Sequence, residues 1–519
     1  MKNHSIILVC GSLLLPYSIC NVVRSQGFTS SNLPIVVINT NGQTINDEPG
    51  IVANLGIINN SNGVRNNLTD PFNEYNGKAK VEFRGCSSQN FPKKSLGIEL
   101  RNVNFPLLDS AVALFGFPKE SDWTLNASYT DKTFLRDALA YRLSNQMGQY
   151  ASRTKHVEVI INGQYMGLYV FQEKVKRDPG RIAVSKLEPI DASASKITGG
   201  YVVKIDKWCG NQSTHTWQSS HPAAGSTNAH HFIVDYPNDS NITTAQFNYI
   251  KTYVNAFETT MSGSGFANAT NGYPKYLKDS TFIDHFLLQE IAKNNDAWRF
   301  STYFHKERDS RGGKLRMGAI WDFNLAWGFL NNNSAPNYTG WQYQAPGDPS
   351  FAVPFWVSKL LTDCKLTLKT VKRYEDLRSG VLQTALINQY VDSMTVVLAE
   401  ATSRNFVRWP TLSTMIWTDG HGSYVGANVA DEVNYLKTWI NNRLAWMDAN
   451  MASISTNSLK TMPPNCASGL TDASIRIEST CVIAPGNASE YQAGGAVLLL
   501  PGFKAEAGST FKAQIKTCL

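Results

Sequence analysis

The sequence predicts an α+β protein: an N-terminal β layer, a mostly helical C-terminal lobe and a small all-β module at the C-terminal end. Three observations predict it. Before residue 206 the apolar runs are short, β-branched and aromatic, and are bounded by Asn, Gly and Pro. Over residues 355–450 the apolar residues recur at helical spacing. Beyond residue 465 short strand-like runs return, as in Ala496-Val497-Leu498-Leu499-Leu500 followed by Pro501-Gly502-Phe503. With 519 residues, 42% hydrophobic and 17% charged, the chain is long enough for more than one domain and rich enough in apolar residues to fold.

Taken in order, residues 1–25 read as a signal peptide. Lys2 gives a positive start, residues 6–15 form a short apolar run, and Val23 and Ser25 flank a cut before Gln26. The mature protein is therefore expected to be secreted or held at the cell surface, with no transmembrane segment. Bulky Tyr17 and Ile19 before Cys20 argue against a lipid anchor there. Residues 26–80 read as a β region built on Leu33-Pro34-Ile35-Val36-Val37-Ile38 and Asn/Gly-rich turns. The segment 81–100 reads as two strands around Gly85-Cys86-Ser87-Ser88, with Lys93 and Lys94 entering the second. A small-residue turn followed by Lys can cover phosphates, and a plain hairpin with solvated Lys fits the same pattern.

Asp131 is the expected cap of a helix carrying Phe134, Leu135, Ala138, Leu139, Tyr141 and Leu143, with Arg136 on another face. The run 157–171 is a hairpin with Asn162-Gly163 at its turn, and Glu173 ends it. Gly199-Gly200-Tyr201-Val202-Val203 opens a strand that ends at Asp206. Residues 208–243 read as an irregular insertion, and helices are expected near 244–262 and 282–291. Residues 331–354 read as a rim loop.

The net charge of +7 is modest, and no dense Lys/Arg block marks a nucleic-acid partner. Once Cys10 and Cys20 leave with the signal, Cys86, Cys209, Cys364, Cys466, Cys481 and Cys518 remain. No Cys-x-x-Cys pair points to zinc, and one disulfide is expected among the last three.

The rest of the chain is organised around residues 286–325. Asp296 lies in Lys293-Asn294-Asn295-Asp296 and Asp322 in Trp321-Asp322-Phe323-Asn324. Between them Ser301-Thr302-Tyr303-Phe304-His305, a turn at 309–313 and an apolar run from Leu315 to Trp321 predict a hairpin. One acid precedes the hairpin and the other ends it, so folding can bring both to one rim. Such a pair suits a divalent metal on oxygen ligands, phosphoryl transfer or glycoside hydrolysis. It also fits a turn cap and a structural ion pair.

These segments together resemble the CotH kinase family, named for a spore coat protein. The matching pieces are Arg84-Gly85-Cys86-Ser87-Ser88, Phe91-Pro92-Lys93-Lys94-Ser95, Asp131-Lys132-Thr133-Phe134-Leu135-Arg136, Asn162-Gly163-Gln164-Tyr165-Met166-Gly167-Leu168-Tyr169, Glu173-Lys174, Gly199-Gly200-Tyr201, Asn295-Asp296 and Trp321-Asp322-Phe323. Their order over residues 33–450 is the specific signal. The resemblance implies an atypical protein-kinase-like fold over 81–455, followed by the β module at 465–519. It implies ATP and a divalent metal, Mg or Mn, and a protein substrate with an acceptor hydroxyl. Asp296 would be the catalytic acid facing that hydroxyl, and Asp322 would bind metal. Lys93 or Lys94 would hold the phosphates with Glu173 orienting the Lys, and Arg84 and Arg136 would support the nucleotide. Two positions depart from the pattern: Asn324 stands where a second Asp is expected, and Ser301 where a kinase catalytic loop carries a metal-binding Asn. The competing reading is a non-catalytic binder of cell-surface glycans, using Trp208, Trp217, Trp341 and Tyr343 as stacking platforms.

Overall fold

The computed structural model describes residues 27–207, 209, 213–222, 229–329, 337–345, 352–416, 424–455 and 458–516. The leader expected over 1–25, Cys10, Cys20, Trp208, Cys518 and half of the rim loop lie outside them. The described chain is a mixed α+β structure with an all-β C-terminal region.

Among the described residues, seven strands close into a barrel. They are β1 (Ile35–Asn39), β2 (Ile51–Ile58), β3 (Tyr75–Arg84), β4 (Ser95–Arg101), β5 (Asp122–Asn126), β6 (Thr154–Ile161) and β7 (Gln164–Glu173). Their order is β1-β2-β3-β4-β5-β7-β6, and β6 returns to pair with β1. Every pairing is antiparallel except that last one, where Ile35 lies beside Glu158 in parallel register. Inward residues alternate along each strand, so Ala53, Leu55 and Ile57 meet Ala79 and Val81, and Leu96, Ile98, Trp123 and Phe171 fill the centre. The 157–171 hairpin is present, and its turn residues Asn162 and Gly163 both have positive φ, at 49° and 75°. That is the backbone a two-residue I′ turn demands. Strand β3 runs straight through the boundary expected at residue 80, because β1 and β2 bury their apolar residues by joining this barrel.

Helix α1 (Arg136–Gln146) lies between β5 and β6; Leu135 and not Asp131 stands at its N-cap, and the Asp131 carboxylate reaches the first turn from the preceding loop, accepting from Thr133 N at 3.0 Å and Arg136 N at 2.9 Å. A second sheet follows: β8 (Tyr201–Ile205), β9 (Thr216–Gln218), β10 (His231–Tyr236), β11 (Thr302–Lys306) and β12 (Leu315–Met317), antiparallel in the order β9-β10-β8-β11-β12. The segment expected to be an irregular insertion thus supplies two strands, the second built on the consecutive buried residues Phe232, Ile233 and Val234. Helix α2 (Thr244–Ser262) begins with a capping box between Thr243 and Gln246, and α3 (Asp279–Ala292) leads into Asp296. Then come α4 (Phe355–Leu360), α5 (Cys364–Arg378), α6 (Thr384–Arg408) and α7 (Val429–Asn450). One large core joins α1 through Leu139, the second sheet through Val203 and Phe304, and the helices through Phe286, Leu398 and Leu436.

Residues 459–515 form three parallel sheets, each with one strand from each of three successive turns. Leu459–Met462, Arg476–Ser479 and Ala496–Leu499 stack on one side, and Gly469–Ala473, Ala488–Ala493 and Thr510–Ile515 on another. This is a short β-solenoid, which explains why the sequence shows brief strand signals without hairpin turns. Its core holds Ile477, Ile483 and Tyr491, and Cys466 is bridged to Cys481, as expected of the C-terminal cysteines.

Candidate active site

The pairing of β8 with β11 builds the site. Ile205 lies opposite Thr302, so the residues just after β8 meet those just before β11. Asp206 and Lys207 therefore come beside the turn that carries Asp296. Asn294 ties that turn to the second acid. Its side-chain oxygen accepts from Asp296 N at 3.3 Å, and its amide donates to the Asp322 carbonyl at 3.4 Å. Asp322 follows β12 in the left-handed region, with φ 64°. Its N–H donates to Tyr141 Oη at 3.2 Å, and the next N–H, of Phe323, donates to Asp137 Oδ1 at 2.6 Å.

From the barrel side, Arg84 ends β3 and places its guanidinium 5.4 Å from the centre of the Trp321 ring. The chain then turns sharply at Gly85, φ 104°, where a Cβ would come within 1.9 Å of Ser88 Oγ, so only glycine fits. Cys86 is bridged to Cys209, which fastens this small-residue loop to the segment carrying Asp206 and Lys207.

The charges interact strongly. Burial pushes the Asp322 carboxyl well above the usual range, and Asp296, Asp137 and Asp206 push it the same way while Lys207 opposes them. Asp296 is raised first by burial, against the pull of Lys207 and with a further push from Asp206. Burial lowers the Arg84 guanidinium, and Asp322 is among the groups that oppose the shift. Like charges gathered out of water hold one another protonated until a cation joins them.

The structure thus brings Asp296, Asp322 and Arg84 together. It does not bring Lys93, Lys94, Arg136 or Glu173 to them as expected. The expected Lys93–Glu173 pair is absent. Lys93 Nζ is buried, donates to Ala127 O at 2.8 Å, to Leu168 O and to Asn405 Oδ1 at 3.0 Å, and lies over the rings of Phe134 and Tyr169. Glu173 instead pairs with Arg153 at 2.8 Å and Arg181 at 3.6 Å, on the strand end that faces them. Lys94 Nζ donates to Gln89 O, within the small-residue loop. Arg136 is wholly buried, paired with Asp131 at 2.6 Å and donating to Ala326 O at 3.3 Å. It braces the loop after Asp322 from below.

Sequence reasoning missed Asp206, Lys207, Asp137 and Tyr141. The one available signal was a strand ending in an acid at Asp206. The helical spacing of Asp137 and Tyr141 was visible, but nothing in it pointed at Asp322. Asn324 donates to Thr130 Oγ1 at 3.4 Å, and its side-chain oxygen has no hydrogen-bond partner among the described residues. Trp217, Trp341 and Tyr343, expected as exposed stacking platforms, are buried in the main core.

A divalent metal fits the donor chemistry here, since the side chains in reach are carboxylates, the hard oxygen donors that Mg and Mn prefer. Among the described residues, no group of three or more His, Cys, Asp or Glu is arranged to hold a metal by itself.

The turn before β11 and the loop after β12 gather Asp206, Asp296 and Asp322, and the class of protein comes from the comparison with known families. Residues 81–447, over two thirds of the chain, match the family described as CotH kinase protein. The chain belongs to the CotH family. No curated protein matches it.

Proposed function

We propose that this protein is an exported, CotH-like atypical kinase that moves the γ-phosphoryl group of ATP to a protein Ser/Thr or another hydroxyl, with Mg or Mn. The observation that carries the reading is the convergence of Asp296 and Asp322 beside Arg84 and Lys207. Phosphoryl transfer needs positioning and charge neutralisation more than covalent chemistry, and this set supplies both. Asp296 accepts the proton of the attacking hydroxyl as its oxygen bonds to phosphorus and ADP leaves. A buried carboxylate with a raised proton affinity is the better base for that step once ionised. Asp322, with Asp206 beside it, would hold the metal, which would supply neutralisation of the phosphate charge. Arg84 and Lys207 take the phosphate role first assigned to Lys93. The resemblance of residues 1–25 to a leader supports export.

The test is transfer of label from γ-labelled ATP, with Mn²⁺ or Mg²⁺, to candidate secreted proteins. Asp296→Ala and Asp322→Ala should abolish it. Transfer that persists in both variants would remove these roles. Burial of Trp217, Trp341 and Tyr343 removes three of the four aromatic side chains behind the glycan-binding reading, and Trp208 lies outside the described residues.

A further inference from the structure

We infer that Asp137 and Tyr141, one turn apart on α1, are positioning residues for Asp322: they hold its backbone in the left-handed conformation that keeps its carboxylate beside Asp296 and Asp206. The inference rests on the reading of Asp322 as the metal-binding acid, and extends it to residues that motif matching does not reach.

Four observations carry it. A non-glycine residue with φ 64° costs free energy and persists only where its surroundings over-determine it. Here two consecutive N–H groups, of Asp322 and Phe323, are both held by the same face of one helix, because side chains four apart point the same way. The Tyr141 ring also stacks on Trp321, centroids 6.0 Å apart and planes 17° apart, while Arg84 lies over that same indole. The residue before Asp322 is thus fixed as well as the one after it.

The acid itself is oriented. Asp137 is buried, and its other oxygen accepts from Asn126 Nδ2 at 2.9 Å, at the last residue of β5. A chain of contacts therefore runs from the barrel through Asp137 to the Phe323 amide. Asp137 makes no ion pair among the described residues, so a salt bridge does not account for its burial. The neighbouring Arg136 completes the grip. Its carbonyl accepts from Trp327 Nε1 at 3.1 Å, so the first turn of α1 holds the loop at 323 and again at 327.

The full-length protein tests this with two readouts. Amide hydrogen exchange of a peptide spanning residues 319–325 reports the backbone, and Mn²⁺ affinity in the presence of a non-hydrolysable ATP analogue reports the metal site. Tyr141→Phe keeps the ring stack and removes the hydroxyl that accepts from Asp322 N and also hydrogen-bonds Asp137. It should deprotect the Asp322 amide and weaken Mn²⁺ binding about tenfold, with melting unchanged. Asp137→Asn keeps an oxygen for the Phe323 N–H and should leave that amide protected as in the wild type, whereas Asp137→Leu should deprotect it and weaken Mn²⁺ binding about tenfold. If Asp137→Leu does not fold, Tyr141→Phe still decides. Wild-type exchange in Tyr141→Phe, or faster exchange with unchanged Mn²⁺ affinity, overturns the inference. Asp322→Asn that binds Mn²⁺ like the wild type overturns the metal reading, and the inference with it. That outcome is recognisable because it leaves the exchange result intact.

Discussion

Asn405 Oδ1 lies 3.0 Å from Lys93 Nζ, across 312 positions of the chain, and joins α6 to the barrel. The same oxygen accepts from Leu168 N at 3.2 Å. With Ala127 O and Leu168 O, it gives all three ammonium protons a partner in a place water does not reach.

Lys93→Met is therefore expected to destabilise the fold and leave nucleotide binding intact. It removes the ammonium from the buried Ala127 O and Leu168 O while Asn405 Oδ1 keeps Leu168 N, worth about 2 kcal/mol in all after partial rearrangement. Urea unfolding and ATP-induced thermal shift measure the two effects separately. Loss of ATP binding at unchanged stability would return Lys93 to the phosphates.

Asp206→Asn is expected to weaken Mn²⁺·ATP binding about tenfold while leaving the melting temperature within a few degrees. Removing this charge also lowers the proton affinity of Asp322 and Asp296, since Asp206 raises both. Calorimetric titration of Mn²⁺ at fixed ATP analogue checks the first expectation, and unchanged affinity would take Asp206 out of the site.

Reduction of Cys86–Cys209 opens a loop of 123 residues. The chain-entropy argument puts the loss of stability at about 5 kcal/mol. The Cys86→Ser/Cys209→Ser protein should unfold at lower urea and bind ATP more weakly, because the small-residue loop is no longer fastened beside Asp206 and Lys207. Equal midpoints for the two proteins would contradict this.

Glu258 supplies a pH dependence. Burial raises its pKa from 4.5 to about 7, and Ser219 Oγ, donating at 2.7 Å, is its opposing partner. The folded state holds the proton more tightly than the unfolded one. Its contribution is complete below pH 4.5 and is lost as pH rises through about 7. The loss amounts to about 3 kcal/mol. Glu258→Gln should remove that slope, so the variant gains stability over the wild type at pH 8 and not at pH 4.5. Parallel unfolding midpoints at the two pH values would reject the assignment.

What could be read from the chain follows from how local each signal is. The hairpins at 157–171 and 302–317 and helices α2 and α3 were legible, because period, turn residues and caps lie within a few positions of one another. So was the approach of Asp296 and Asp322, which flank one hairpin. Lys93 was misread for the opposite reason. Its partners Ala127, Leu168 and Asn405 lie 34, 75 and 312 positions away, and a Lys after a small-residue turn looks the same whether its ammonium meets phosphate or carbonyls. Asp206 and Lys207 enter the site only through the β8–β11 register, which no spacing in the sequence announces. Arg136 has an acid five positions before it, yet whether that pair is solvated or sealed depends on Ala326 and Phe329, far along the chain.

The parallel seam of the barrel sets an order of events during folding. Strand β1 emerges first but finds one of its two neighbours only when Glu158 and its strand have followed, 123 residues after Ile35. Until then one edge of β1 stays open, and the apolar staves behind it cannot be sealed from water. A chain handed through a membrane from its N-terminus would therefore stay pliant until well over a hundred residues had crossed, and would lock shut only afterwards.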